Sequence, residues 1–433
     1  MQLPNLLATR PGRLAAFFFL YVTEGIPVGF TATAVATQMR RQGVGPAQIG
    51  VFVGALYLPW AWKWLIGPFV DVIYSDRLGR RRAWIVAAQV LMSLSLLAAM
   101  PVDFSLHIGL FTAIVLVINV FGATQDVAID ALACGVLEDD ERGLANGLMF
   151  AGAYLGQAVG GAGVLFLSER VGFRPTFVFV AGSILMVTVF VALGMQEPPT
   201  HGSRARVPGG LAAVAGQIRR YAGEAVRAFF GTRAAMAGLA FAVLPAGAYG
   251  LSLALQSNLA VELGLTDRQV GLLALFSTVI SAAGCIAGGW LSDRFGRRKM
   301  LALFIVTTAV PTVALAVIMQ HHGWIMPVDP QAPDRPHPPL PVMQAFWAAS
   351  MWFALFQGLM YGTRTALFMD ISTPEVAATQ FTAYMACMNL VTWYSASWQG
   401  YCIEAWGYPT TLALDAAAGL ACVALLPLMG RTR

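Results

Sequence analysis

Twelve apolar stretches, each about twenty residues long and nearly free of charge, leave this chain few ways to fold. They begin near Leu14, Gln48, Ala83, His107, Ala145, Arg174, Ala234, Val270, Met300, Val342, Gln380 and Pro409. Bilayer hydrocarbon is about 30 Å thick and takes roughly 20 helical residues to cross, so each stretch is long enough to span it. With 58% hydrophobic and 11% charged residues among 433, the chain carries more apolar surface than a soluble core of its size can hide. The runs are continuous, whereas the strands of a membrane barrel read as alternating segments. Lipid offers the backbone no hydrogen bonds, so helices are the spanning structure that fits. The expected fold is an all-α membrane protein with twelve transmembrane helices.

Basic residues set the expected orientation. If both termini are cytoplasmic, 19 of the 27 Lys and Arg fall in inside segments and six in outside loops, the bias that orients membrane helices. Lys63 and Arg364 are the remaining two and lie within spans. The net charge of +5 therefore reports topology, and no nucleic-acid partner is expected. Five single cysteines without a CxxC pair give no disulfide framework, and the full-length first run argues against a cleaved signal peptide. Residues 196–233, running from Gln-Glu-Pro-Pro into HGSRARVPGG, read as a cytoplasmic linker between an N-terminal six-helix half at 1–195 and a C-terminal half at 234–433. A second, proline-rich segment at 321–341 reads as an extended external loop. Its His321, His322, His337, Asp329 and Asp334 match no ligand spacing, so no metal is expected.

The phrase SDRLGRRR at 75–82 returns as SDRFGRRK at 292–299, with Asp76 and Asp293 separated by 217 positions, about half the chain. Each copy falls between the second and third helices of its half. This pattern resembles the G-x-x-x-D-R-x-G-R-R signature of the major facilitator superfamily, which implies a pseudo-symmetric pair of six-helix halves. In that family the loop's acids and arginines latch one of two alternating conformations. The residues in question are Asp71, Asp76, Arg80 and Arg81 in the first copy and Asp293, Arg297 and Arg298 in the second; Gly67 spaces to Asp71 while Gly-Arg-Arg follows Asp76, so either acid could serve. Arginine-rich loops that merely fix topology are the plainer alternative. A narrower resemblance runs through WAWKWLIGPFVD (60–71), GRRRAWIVAAQ (79–89), ATQDVAIDA (123–131), EDDERGLANG (138–147) and MDISTPEVAATQFTAYMA (369–386). These phrases are similar to the AmpG-type permeases, a group of muropeptide, siderophore and acetyl-CoA transporters. The resemblance implies a bacterial inner-membrane carrier driven by an ion gradient, monomeric and without a cofactor. Muropeptide permeases often carry helices beyond twelve, which tilts the expected substrate towards a siderophore.

Charge inside a bilayer costs at least ~2.5 kcal/mol, which makes each intramembrane ion a functional candidate. Glu24 sits among Gly25, Pro27 and Gly29, where the helix is weakened; it reads as a proton or substrate site, or as a protonated carboxyl bonded to a neighbour. Asp126 and Asp130 are one helical turn apart, on a face shared with Asn119 and Gly122, and are the expected proton-coupling pair. Asp130 lies near the helix end and could instead cap it or meet a loop arginine. Lys63, flanked by Trp60, Trp62 and Trp64, is an anion- or carboxylate-pairing group or a snorkelling anchor. Arg364 aligns with Thr124 when Asp370 is laid on Asp130, and suits a carboxylate-bearing substrate; the alternative is an ion pair with Asp370. Tyr249, Gln256, Asn258, Asn389, Trp393, Tyr394, Trp398 and Gln399 complete an expected binding surface for a bulky solute.

Other function classes lack their chemistry. Neither lysine lies in a G-x-x-x-x-G-K-[ST] loop, so no ATP motor is present, and no histidine falls well inside a span to serve as the base of an acyltransferase. The expectation is a non-enzymatic secondary transporter importing a bulky polar or anionic small-molecule solute with protons; a proton-driven exporter of drugs or metabolites is the alternative.

Overall fold

The computed structural model describes residues 5–72, 79–104, 106–138, 141–197, 230–372 and 377–429, with short pieces between 215 and 227. Most of the expected 196–233 linker lies outside the described residues. Helices occupy all twelve expected stretches: α1 (Arg10–Arg41), α3 (Arg82–Ala99), α4 (Ile108–Val136), α6 (Thr176–Ala192), α8 (Asp267–Phe295), α9 (Arg297–His321) and α10 (Leu340–Ile371) run as single rods. α1, α6 and the fifth span each run on through a π-turn, and the remaining spans are broken or bent. The second, α2, runs as Pro46–Ala55, Leu58–Ala61, Lys63–Leu65 and Gly67–Val72; α5 runs from Arg142–Ala158 through a π-turn to Val164–Val171; α7 is split into Arg233–Ala242 and Leu253–Glu262. The last rod turns sharply at Gly407, which separates α11 (377–406) from α12 (408–429). Among the described residues, seven helical stretches are long and apolar enough to cross a membrane; they include Gly147–Val171 of α5 and the bent Gln380–Met429 stretch of α11 and α12. Large apolar side chains such as Phe190, Ile286 and Leu94 stand exposed on helices, as surfaces that meet lipid require.

The chain forms two compact units. The first comprises Met1–Phe30 and Trp62–Gly223; the second comprises Thr31–Ala61 and Glu224–Arg433. Helix α1 passes from one to the other at Phe30, where a π-turn (Phe30–Val35) follows Gly25, Pro27 and Gly29. Helix α2 changes unit at Ala61, inside its broken stretch.

Small residues let helices in each unit approach to backbone contact, the packing mode available where lipid removes the hydrophobic drive between helices. In the first unit Gly25 and Gly29 of α1 face Gly152, Gly156 and Gly160 of α5; a methyl group at Gly25 would strike the carbonyl oxygen of Ala153, and one at Gly160 that of Ile26. In the second unit Gly284 and Gly288 of α8 meet Gly358 and Gly362 of α10, and Gly50 of α2 lies against Ala396 of α11. The second unit also holds a saturated buried ion pair. Arg40 lies 2.7 Å from Glu262, which accepts from Tyr408 Oη (2.7 Å) and Val328 N (2.9 Å), while Arg40 also donates to the Val328 carbonyl (2.6 Å). The proline-rich segment is thus irregular, as expected, but fastened through Val328 rather than loose.

Candidate functional site

In the first unit the broken middle of α2 brings Lys63 to α4. Its Nζ donates to Asp126 Oδ2 at 2.7 Å, which places its ammonium against a carboxyl of α4. One turn further along α4, Asp130 accepts from Tyr21 Oη at 2.7 Å. Tyr21 and Glu24 are three residues apart on α1, and the Glu24 carboxyl faces Asp126, with Lys63 and Asp130 within electrostatic reach. Its Oε2 is buried and has no hydrogen-bond partner among the described residues. Three carboxyl groups therefore surround one ammonium. If all ionise, the cluster carries two uncompensated negative charges in low dielectric, an arrangement that is costly to bury.

A neutral ladder fixes the backbone beside this cluster. Gln89 Nε2 and Gln125 Nε2 both donate to Thr23 Oγ1 (3.1 and 3.0 Å), and Thr188 Oγ1 donates to Gln89 Oε1 (2.8 Å). It ties α1, α3, α4 and α6 at the residues adjoining Glu24 and Asp126. The sequence reading missed it; the only signal was the pairing of polar with acidic residues in Thr23-Glu24 and Gln125-Asp126. Among the expected tryptophans, Trp60 is buried and Trp62 is exposed, its ring 6.2 Å from that of Trp64.

In the second unit Arg364 is buried on α10. Its Nη1 donates to Tyr249 Oη at 3.3 Å, its guanidinium lies 5.8 Å from the Tyr361 ring, and its Nε has no acceptor among the described residues. The alternative partner Asp370 is taken instead by Arg297, at 2.6 Å. Asn258 is buried with both amide atoms unpartnered, as is Gln357 Oε1. Tyr394 Oη donates to the Val243 carbonyl at 2.8 Å, where α7 breaks. Gln256, Asn389 and Trp393 are half-buried, and their side chains reach neither Arg364 nor Tyr249 by a hydrogen bond. Gln399 donates to Asp415 (2.8 Å), a buried acid that the sequence reading passed over although it interrupts the apolar run LALDAAAGLA.

The repeated loops share one backbone device. Gly79 and Gly296, the common glycine of the two phrases, have φ of +90° and +94°, a region L side chains rarely adopt. Each is followed by a helix that begins with arginines. In the first copy, the Arg81 and Arg82 N–H groups donate to Glu197 Oε1 (2.7 and 2.6 Å), and Arg81 Nη1 donates to the Val70 carbonyl (2.7 Å). Arg80 stands at the same helix start. The Asp71 side chain and Asp76 lie outside the described residues. In the second copy, Arg297 donates to Asp293 (2.9 Å) and to the Ala366 carbonyl (2.9 Å) besides pairing with Asp370, and Arg298 reaches the Pro427 carbonyl at 3.5 Å.

Known proteins share this architecture. A D-xylose–proton symporter superposes with a TM-score of 0.69 at 12% identity, over 95% of this chain and 96% of its own; a nucleoside transporter gives 0.67 at 10%, over 96% and 100%. At such identities the likeness speaks for the fold. In sequence, the anhydromuropeptide permease of Escherichia coli K12 is 24% identical over 425 residues, covering 96% of this chain and 79% of the permease. Transporter AmpG 4 of Rickettsia conorii is 24% identical over 316 residues, 72% of this chain and 74% of that one. The Major Facilitator Superfamily model matches residues 15–255 and 237–433. With twelve helices, the doubled arginine loop and these matches together, the chain is a transporter of the major facilitator superfamily, of the AmpG-type permease group.

Proposed function

We propose that this protein imports a bulky, carboxylate-bearing solute across the bacterial inner membrane together with protons. The observation that carries the coupling is the imbalance around Lys63: one ammonium against Glu24, Asp126 and Asp130. A proton taken up there changes the charge of the cluster by one unit, and this biases the alternating states that bind the cluster differently. Asp126 is the principal carrier, because its bond to Lys63 is broken or remade as the charge changes. Glu24, with one oxygen unpartnered, is the second carrier.

Substrate recognition rests on Arg364 and Tyr249, with Asn258, Gln256, Asn389, Trp393 and Tyr394 as further contacts. A fixed guanidinium with an open Nε donor suits a planar carboxylate. The name of the Escherichia coli relative makes anhydromuropeptides, which bear free carboxylates, the first compounds to try, and ferric siderophores the second. The arginine bias supports cytoplasmic termini, so a cysteine placed at Pro333 should label from outside intact cells. The protein is proposed to act as a monomer.

The test is uptake of labelled anhydromuropeptide, and of ferric siderophore, into proteoliposomes under an imposed proton gradient. Accumulation that collapses with a protonophore supports the coupling. Accumulation indifferent to the proton gradient refutes it, whatever the substrate.

A further inference from the structure

We infer that Asp415 is a positioning residue that mounts Tyr249 against Arg364, and that this mount gives the second unit its preference for carboxylate groups. The inference rests on the carboxylate reading of Arg364 above. Helix α7 stops at Ala242 and resumes at Leu253. Within the gap, Gly247 has φ of +79°, and the chain doubles close to α12: an added methyl at Gly419 would strike Gly247. A broken helix leaves backbone donors that need acceptors, since lipid and packed protein supply no water. Three consecutive N–H groups find them in side chains. Ala248 N donates to Thr308 Oγ1 (3.2 Å), while Tyr249 N and Gly250 N both donate to Asp415 Oδ2 (2.7 and 2.6 Å). The other carboxyl oxygen accepts from Gln399 Nε2 (2.8 Å).

Asp415 is fully buried, and its described hydrogen bonds come from dipoles rather than a cation. An acid held this way in a span is compensated by oriented N–H groups converging on it. The geometric consequence falls on the residue it holds. With the Tyr249 backbone pinned between α9, α11 and α12, its hydroxyl reaches Arg364 Nη1 from a fixed direction. That hydroxyl occupies one face of the guanidinium's donor fork and leaves Nε for an incoming acceptor. Space at Gly250 is tight: a methyl there would come within 3.1 Å of Asp415 Oδ2 and 2.9 Å of Leu412, so one of those side chains would have to give way. The proton cluster of the first unit plays no part in this argument, and Asp415 is assigned no proton-carrying role.

Asp415→Leu and Asp415→Asn separate positioning from charge. The asparagine oxygen still accepts from both N–H groups, with Gln399 turning its amide to suit; leucine accepts from neither. Two readouts are taken on protein in nanodiscs: hydrogen exchange of the peptide spanning 243–252, which needs no ligand, and dissociation constants for an anhydromuropeptide and for the same compound with its carboxylates converted to amides. In Asp415→Leu the exchange of 243–252 should accelerate about tenfold or more, and affinity for the carboxylate form should fall by a similar factor, the loss expected when hydrogen bonds to a buried charge are removed. Affinity for the amide form should hold, and Asp415→Asn should resemble the unmutated protein in both. Unchanged exchange, or equal loss for both compounds, overturns the positioning role. An Asp415→Asn protein as impaired as Asp415→Leu overturns it too, by pointing to charge. If instead the unmutated protein does not prefer carboxylate to amide, the reading of Arg364 fails, and the exchange readout still decides whether Asp415 mounts the break.

Discussion

Asp130 and Asp370 occupy matching places in the two halves, near the ends of α4 and α10, yet they do different work. Asp370 is half-exposed and paired at 2.6 Å with Arg297 of the repeated loop. Asp130 accepts from Tyr21 and lies one turn from the Lys63–Asp126 pair. Duplication supplied both halves with the same loop and the same acid. In the C-terminal copy the acid is paired with a loop arginine. In the N-terminal copy a tyrosine has taken that acid and joined it to a carboxyl cluster with too few cations. A repeated motif therefore places a matching acid in both halves, while the neighbours of each copy decide its partners: an arginine for Asp370, a tyrosine beside the Lys63–Asp126 pair for Asp130.

The largest expected effect tests the responsive side. Asp126→Asn should abolish accumulation of substrate against a gradient in proteoliposomes while sparing downhill exchange, because exchange needs only reorientation of the loaded carrier. Should Glu24→Gln produce that uncoupled behaviour and Asp126→Asn not, the proton site moves to α1. Next comes recognition: Arg364→Gln should weaken binding of the carboxylate-bearing solute by about 2 kcal/mol or more, roughly 30-fold, the cost of truncating one side of a buried hydrogen-bonded charge pair.

A matched pair of substitutions tests whether the two acids differ. Asp370→Asn should slow accumulation and exchange together, up to about fivefold, because a part-exposed ion pair contributes about 1 kcal/mol or less. Asp130→Asn should lower accumulation more than exchange. If the two variants behave alike, the division between latch and proton cluster is wrong.

The smallest effect concerns the loop after α4, where Glu141 accepts from Arg13 Nη2 at 2.6 Å. The hydrogen bond and charge of Arg13 hold the Glu141 carboxyl below its ordinary value of 4.5. A depressed acid contributes stability that is fully present above the ordinary value and lost as pH falls through the lower folded one. Thermal unfolding should therefore show no contribution from this pair to any change between pH 7 and pH 5, and Glu141→Gln should lower the melting temperature slightly at both. The difference between variant and unmutated protein should shrink only below about pH 4.5.

Much of the site was legible because a charge in an apolar run is conspicuous. Glu24, Lys63, Asp126 and Arg364 stand out for that reason, and Lys63 is one of two lysines in the chain. Their partners were not legible. Tyr21 is an ordinary aromatic residue on an apolar helix until Asp130 lies 2.7 Å away, and Asp370 satisfies a loop arginine rather than the arginine six residues before it. Glu262 carried no sequence signal beyond its charge, yet it is fully buried and bound by Arg40, Tyr408 and Val328, contacts separated by tens to hundreds of residues.

The apolar runs and the repeated phrase alone make the chain helical and membrane-spanning, with twelve spans in two related halves. Those properties follow from local quantities: the length of an apolar run against the thickness of hydrocarbon, and the identity of a repeated phrase. Only the tertiary structure decided which acid meets which base, that α7 is broken and held open by Asp415, and that residues 31–61 belong with the C-terminal unit. Ion pairs and backbone acceptors are settled by distances across helices of differing tilt and breakage. Small-residue packing sets those distances by letting backbones touch at Gly25, Gly160, Gly288 and Gly358, and no pattern along one helix records what its neighbour will present.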